Sequence, residues 1–447
     1  MHITILYSGT KSMKFYDRLK ELKTLRANLE SSRNCSKMAV IIGRRRVGKT
    51  KLILESFGDE LVYLFVARKN ERLLCEEFSA LIKNKLNIKI IGKITNFKDL
   101  FEYLLIFSER KNITVAIDEF QEFYNINPSI FSDMQNIWDL YKDKSRVNLI
   151  LSGSIYSLMK KIFENSKEPL FDRADKKIYL KPFDVNTLKE IMIDNNGSYD
   201  NIDLLYFYIL TGGIAKYAET FADNNALTHN KMLDIILEEN SIFLNEGKDL
   251  LIEEFGKEYT NYFSILSLIS NSKTSRSEIE SILEKNVGGY LDRLENEYNI
   301  IKRVKPIFAK EGSRIQKYVI VDNFLNFWFR FIYTYKSAVE MGNFEYIRNI
   351  INRDFAAYSG IFLEKYFIEK LKLTNRFSNI GRYWEKGNNN EIDIVAVNDI
   401  EKSILIGEVK LNPKKIDINK LKVKSEKIIE KNKGYHIEYK GFYMEDM

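Results

Sequence analysis

The 447-residue sequence predicts an α/β fold: a parallel sheet faced by helices, then a helical segment, a helix-turn-helix unit and a second, smaller α/β region. Three observations carry this reading. Apolar strand-like runs alternate with helical patterns through the first 185 residues, and strands separated by helices join through right-handed crossovers into a parallel sheet. The first of these strands runs straight into a glycine-framed turn at 43–50. From about residue 257 the pattern changes to short helices, and near the end to strands that alternate apolar with charged residues.

The elements follow in order. Strands are expected at 38–43, 61–66, 113–118, 147–154 and 177–183, and helices at 51–57, 70–87, 96–109, 131–143 and 155–164. Residues 1–12 read as a loosely ordered extension before Met13, without the basic start and apolar stretch of a secretory signal. The resulting divisions are 13–185 for the sheet domain, 186–250 for a helical segment, 257–335 for the helix-turn-helix and 340–447 for the terminal domain.

The turn itself reads GRRRVGKT, with Gly43 and Gly48 framing Arg44, Arg45, Arg46 and Val47 ahead of Lys49, Thr50 and Lys51. Glycines allow backbone N–H groups to turn inward around phosphate, and a following helix N-terminus adds partial positive charge. Lys49 is expected to reach the β- and γ-phosphates of ATP, and Thr50 to place its hydroxyl on Mg²⁺. With glycine at about 7% of residues, the four specified positions coincide by accident in about one such chain in a hundred. The three arginines suit contacts to phosphate or to an adjacent subunit, with solvent as the default for at least two.

A second acidic anchor is needed for the metal. ITVAIDEFQE (113–122) supplies a strand ending in Asp118, expected to hold Mg²⁺ through water, and Glu119, expected to orient and deprotonate the attacking water. Alone, such a pair reads more readily as a helix cap; the phosphate loop upstream changes its weight. LILSGS (149–154) puts Ser152 and Ser154 at another strand end, where a hydroxyl could sense the γ-phosphate. Arg173, just before the last strand, reads either as a surface arginine or as an arginine finger on a neighbouring subunit's nucleotide, which leaves a homo-oligomer open.

FYDRLKELKTL (15–25), GRRRVGKT, AIDEFQEF, LILSGS, PLFDRA and LTGGIAKYAE (210–219) resemble, in the same order, the archaeal-type ATPase family, a branch of the AAA+ P-loop ATPases. The resemblance spans 15 to about 240 and implies a P-loop AAA+ parallel sheet with a small helical lid. Where family members usually carry Gly-Gly-Ile-Pro, this chain has Gly212, Gly213, Ile214 and Ala215.

In the second half, 262–270, 275–283 and 287–304 read as three short helices, with KPIF and KYVIVD as a two-stranded wing. This is the pattern of a winged helix-turn-helix, whose third helix often enters a DNA major groove. That helix would present Tyr290, Arg293 and Asn296, followed by Lys302, Arg303 and Lys305; Asp292, Glu295 and Glu297 beside them would repel phosphate. DNA binding and protein packing both remain open. The run FLNFWFRFIYTY (324–335) puts Phe324, Phe327, Trp328, Phe331, Ile332 and Tyr335 on one helical face and so reads as a core helix, not a membrane span.

The terminal domain holds strands at 388–397 and 403–412. Glu408 and Lys410, two apart, share a face, and Asp393 points from the neighbouring strand, on the face shared by Glu391. An acid, then acid-x-lysine, on adjacent strands is the layout of PD-(D/E)XK nucleases. Asp393 and Glu408 would chelate Mg²⁺, Lys410 would orient or activate water, and Glu364 in GIFLEKYFIEKL (360–371) is a fourth acid. The order FLEKYFIEKL, IGRYWEKGNNNEIDIVAV, ILIGEVK resembles the nuclease-like domain commonly fused to this ATPase branch, in which cleavage is sometimes absent. The lysine-rich stretch 413–433 reads as a solvated amphipathic helix or as a nucleic-acid-facing edge.

Composition narrows the partners. A net charge of +7 permits DNA without demanding it. Two cysteines cannot form a disulfide framework, which suits the cytoplasm, and three scattered histidines make no zinc site. The leading expectation is a Mg²⁺-dependent ATPase acting on DNA with a nuclease-like tail. The competing one is an ATP-driven regulatory switch that binds a protein partner and carries a silent nuclease fold.

Overall fold

The computed structural model describes residues 13–90, 92–255, 259–310, 312–313 and 315–447. The extension expected at 1–12 lies outside the described residues. Two compact units result: Asp17–Pro182, and Phe183–Met447 together with residues 13–16.

The first unit is built on five strands: β1 (Lys37–Ile42), β2 (Leu61–Phe65), β3 (Ile113–Asp118), β4 (Val147–Gly153) and β5 (Lys176–Tyr179). Their spatial order is β2-β3-β4-β1-β5, and every neighbouring pair is parallel. The three central strands are buried nearly end to end, and strands covered on both faces read as continuous apolar runs for that reason. The expected strand 177–183 is shorter. Leu180 still donates to Ile42 O, but Pro182 has no N–H to continue the ladder.

Covering helices fall close to the expected spans, at Lys49–Phe57, Glu71–Leu86, Phe97–Ser108, Ser129–Tyr141 and Tyr156–Glu164. Asn70 and Asn96 cap two of them, each accepting from a first-turn N–H. Beneath these helices, Phe120 is fully buried, with ring centroids 5.6 to 5.7 Å from Phe123, Phe131 and Phe163.

The second unit opens with helices at Val185–Asn196, Asn201–Thr211, Ala215–Asp223, His229–Ile236 and Ile242–Phe255. Ala215, where the family carries proline, is the first residue of its helix. That position leaves its N–H without an intrahelical acceptor, so proline and alanine both fit. Three further helices follow, Tyr259–Ser270, Arg276–Leu283 and Gly288–Asn296, and then an antiparallel ribbon of β6 (Ile301–Val304) and β7 (Lys317–Ile320).

Here the structure corrects three expectations. The helix expected over 287–304 ends at Asn296, and its tail turns at Asn299 (φ 51°) to become β6. KPIF is not the strand: Pro306 cannot join a ladder, and Ile307 instead donates to Arg382 O and packs into the terminal sheet's core. The aromatic run differs too. It is α-helical over Asn323–Phe327 and π-helical over Trp328–Tyr333, and Leu325 and Phe329, off the expected face, are buried while Tyr335 is half-exposed. Neighbours meet it on several sides: Phe263 touches Phe329, and a Cβ on Gly247 would come within 2.3 Å of the Trp328 ring. Among the described residues no helix is long and apolar enough to cross a membrane.

The terminal sheet comprises β8 (Asn379–Tyr383), β9 (Ile392–Asn398), β10 (Ser403–Lys410) and β11 (His436–Tyr443), ordered β11-β10-β9-β8. β8, β9 and β10 are antiparallel neighbours; β11 runs parallel to β10 and needs a crossover, which 413–433 provides. That crossover is not one amphipathic helix but two short ones, Ile418–Lys424 and Glu426–Lys431, which bury Leu421 and Ile428 on the sheet. The 30-residue helix Phe344–Leu373 packs on β8, β9 and β10.

Phe120→Ala should cost the first unit about 3–5 kcal/mol, because a large ring is lost from a fully buried apolar site and leaves a cavity. Denaturant unfolding measures this; a loss under 1 kcal/mol would show that this core is loosely packed.

Candidate functional site

At the carboxyl ends of the parallel strands, the loop after β1 turns twice through left-handed backbone, at Arg46 (φ 67°) and Gly48 (φ 102°). Gly43 is required by space: a Cβ there would stand 3.0 Å from both Leu180 O and the buried Val47 side chain. Arg45 is exposed, while Arg44 and Arg46 are half-buried. The helix Lys49–Phe57 begins with no side-chain cap, so its first amides face the loop's hollow as donors for an anion. The Lys49 ammonium fills that hollow, donating to Gly43 O (2.9 Å) and Arg44 O (3.2 Å). Burial lowers its pKa, opposed by the charges of Glu119 and Asp118. Thr50 and Lys51, both exposed, follow it in the helix.

The loop strand β1 and the acid strand β3 are not neighbours; β4 lies between them, with Ser152 beside Ile41 and Leu151 beside Ile117. This interleaving brings three strand ends to one carboxylate. Asp118 Oδ2 accepts from Thr50 Oγ1 (2.9 Å) and Tyr63 OH (2.5 Å), and Oδ1 from Ser152 Oγ (2.5 Å) and the Glu119 N–H (3.0 Å). Four donors saturate a carboxylate, so Asp118 stays buried without being orphaned.

Glu119 sits in left-handed backbone (φ 53°), and its Oε2 accepts from Gln121 Nε2 (2.5 Å) and Ser154 Oγ (2.6 Å). Gly153, between the two serines, admits this arrangement: a Cβ there would lie 2.2 Å from Gln121 Oε1. Both serines therefore face the acids. Arg173 forks onto Asp139 (2.8 and 3.3 Å) and Phe171 O (3.0 Å) within its own unit.

Three residues at this site escape sequence reading. Tyr63 is one aromatic within an apolar strand, and nothing local marks its hydroxyl. Gln121 is fully buried although polar. Arg18, left-handed and only 4% exposed, donates to Val47 O (3.4 Å) under the loop; its one signal is its place in the 15–25 motif.

The terminal sheet brings its own charged set together. β9 and β10 pair Ile394 with Gly407, so the next pair outward is Asp393 opposite Glu408. Lys410 Nζ lies 3.3 Å from Asp393 Oδ2 and 3.3 Å from Glu408 Oε1. Backbone N–H groups of Val409 and Asp417 donate to the same two acids. Burial lowers the Lys410 pKa, but the two carboxylates outweigh it and the net shift is upward. Glu364 lies 2.9 Å from Arg382 Nη2, which also reaches Glu391 (3.1 Å); Glu391 in turn accepts from Lys317 of β7 (3.1 Å). Among the described residues no trio of acidic, cysteine or histidine side chains is arranged to hold a metal ion.

The helix Gly288–Asn296 keeps most of its polar groups engaged. Arg293 stacks over Tyr262 and Tyr290, Asn296 donates to Asp292 (2.8 Å), and Arg303 forks onto Glu295 (2.6 and 3.1 Å). Lys216, on the helix Ala215–Asp223, pairs in solvent with Glu219.

Burial pushes the Glu364 carboxyl up to about 7, against the pull of Arg382. An acid raised in the folded state binds more protons there than when unfolded, where its pKa is about 4.3. Its favourable contribution is therefore complete below pH about 4.3 and lost as pH rises to about 7. In metal-free buffer Glu364→Gln should flatten the stability-versus-pH curve in that window; an unchanged slope would contradict the raised pKa.

Comparisons with known proteins agree with this geometry. Residues 15–221 match the model of an ATPase domain predominantly from Archaea, and residues 328–426 match a family described as archaeal and bacterial proteins of unknown function. An uncharacterized protein of Methanocaldococcus jannaschii is 31% identical over 405 residues, covering 89% of this chain and 87% of that protein. Among solved structures, a Walker-type ATPase of Pyrococcus abyssi has a TM-score of 0.54 at 20% identity, covering 70% of this chain and 96% of its own. The ORC2 protein of Aeropyrum pernix, solved in ADPNP–ADP complexes, has a TM-score of 0.50 at 14% identity, covering 74% and 96%. The glycine-framed loop, the buried acid facing it and the collinear match over most of a relative's length lead to one conclusion: the chain belongs to this archaeal family of P-loop ATPases and joins its ATPase domain to the family's distinct C-terminal domain.

Proposed function

We propose that the chain hydrolyses ATP in a Mg²⁺-dependent manner and uses the cycle to act on DNA. The observation that carries the metal dependence is Thr50 Oγ1 lying 2.9 Å from Asp118 Oδ2 at the mouth of the phosphate loop. Mg²⁺ takes oxygen ligands, keeps several waters and is held by one or two protein groups plus substrate phosphates, so a hydroxyl and a carboxylate without a larger acidic cage fit it. When bound, the ion neutralises charge on the β- and γ-phosphates.

The chain's own residues have separate tasks. The 43–50 amides and Lys49 bind the triphosphate, and Lys49 exchanges its two carbonyl acceptors for phosphate oxygens. Asp118 orients the metal's water shell. Glu119, released from Gln121 and Ser154, takes the proton of the attacking water. Ser152 and Ser154 sense the change at the γ-phosphate. Arg173, tied to Asp139 in one chain, is the residue we assign as a finger on a second copy's nucleotide in a homo-oligomer. The free thiols Cys35 and Cys75 suit a cytoplasmic setting.

The DNA reading draws on the second unit. Three helices and a β-ribbon support a winged helix-turn-helix, and a long helix, three antiparallel strands and a crossover to a parallel strand support a PD-(D/E)XK-like domain. Asp393, Glu408 and Lys410, gathered at one end of β9 and β10, would cleave a phosphodiester with Mg²⁺. A second reading is favoured by one specific arrangement: Lys410 bridges Asp393 and Glu408, with Lys424 3.9 Å from Glu408, and Arg382 bridges Glu364 and Glu391. In that reading the domain is silent and ATP drives a switch that binds a protein partner.

Glu119→Gln should retain ATP binding while phosphate release falls by about a hundredfold or more; unchanged release would remove Glu119 from the chemistry. Incubated with plasmid and Mn²⁺ or Mg²⁺, the wild-type chain should nick DNA and Asp393→Ala should not. Equal cutting by both would sink the site, and no cutting by either would favour the switch. DNA affinity should fall steeply with added salt; absence of binding at low salt would likewise favour a protein partner.

A further inference from the structure

We propose that Tyr63 is a positioning residue for the metal anchor Asp118, setting how strongly bound nucleotide depends on Mg²⁺. The proposal rests on the reading of Asp118 given above. Tyr63 lies on β2, the edge strand beside β3, and its hydroxyl donates to Asp118 Oδ2 at 2.5 Å. This is the same oxygen that accepts from Thr50 Oγ1, so one carboxylate oxygen serves the phosphate-loop helix and the edge strand at once.

The two donors differ in what nucleotide binding does to them. Thr50 sits on the helix that binds phosphate, and its hydroxyl turns from Asp118 to the metal when nucleotide arrives. Tyr63 makes no such exchange, because it comes from outside the loop. The other two donors, Ser152 and the Glu119 N–H, hold the opposite oxygen, Oδ1. With Thr50 withdrawn, Tyr63 is the remaining of the described donors that fixes Oδ2. Its phenol occupies one side of that oxygen and so fixes which lone pair is left for a metal-bound water, while Ser152 and the Glu119 N–H hold the carboxylate plane from Oδ1. A hydrogen bond to an ionised carboxylate is among the stronger ones in proteins, and its loss from a buried anchor is felt by whatever the anchor orients.

The predicted signature separates this role from plain packing. Binding of ADPNP, which is not hydrolysed at the γ-position, is measured by calorimetry in EDTA and again in Mg²⁺. Wild-type affinity should rise with Mg²⁺. In Tyr63→Phe the affinity in EDTA should match wild type, because nothing that touches phosphate has changed, whereas the Mg²⁺-dependent gain should shrink by about tenfold. An unimpaired gain overturns the proposal, as does an equal loss in EDTA, which would mark a structural effect on the loop. A wild-type chain whose ADPNP affinity ignores Mg²⁺ overturns the anchor reading itself, and the Tyr63 role with it. Tyr63→Leu, which also lacks the donor but packs differently, should reproduce the loss of metal dependence; a Leu variant with the full gain counts against the hydroxyl.

Discussion

One carboxylate holds the ATPase unit's chemistry in register. Asp118 ends β3, and donors from the phosphate-loop helix, from β2, from β4 and from the next residue's backbone all converge on its two oxygens. Burying an acid without such partners would cost several kcal/mol. The site's geometry is thus also the condition under which the charge is tolerated at all. This convergence depends on strand order: with β4 between β1 and β3, the loop and the acid stand one strand apart at the same end of the sheet.

Glu119 illustrates how such a site can be both assembled and idle. Its side chain is satisfied by Gln121 and Ser154, while Lys49 is satisfied by two loop carbonyls. Both groups have internal hydrogen-bond partners, which under the proposed mechanism would be exchanged for ligand atoms. The terminal sheet follows the same rule with ion pairs, since Lys410 and Arg382 are each shared between two acids. Ion pairs of this kind hold a charged cluster together.

The fold of the first unit was largely legible because its signals are local. Continuous apolar runs at 113–118 and 147–153 bracketed by helical periodicity leave few alternatives, and the loop's glycines are demanded by positive φ and by the space at Gly43. Failures arose where tertiary contact decides. The π-helical segment at Trp328–Tyr333 answers to neighbours on several sides, which one helical face cannot reveal. The wing's first strand was displaced because Pro306 cannot pair and Ile307 is claimed by another sheet. Tyr63 and Arg18 were missed because each acts through a partner far away in sequence, and Gln121 because nothing local marks it as buried.

The account's central claim is that the 43–50 backbone and the acids at 118 and 119 form one nucleotide–metal site. Crystals grown with ADPNP and Mn²⁺ test it most directly, since anomalous scattering locates the metal without interpretation of the surrounding density. The account predicts one metal peak between Thr50 Oγ1 and the Asp118 carboxylate, with the triphosphate wrapped by residues 43–50 and Lys49 turned onto it. A metal bound elsewhere, or a triphosphate that leaves Lys49 on its own loop carbonyls, would contradict it.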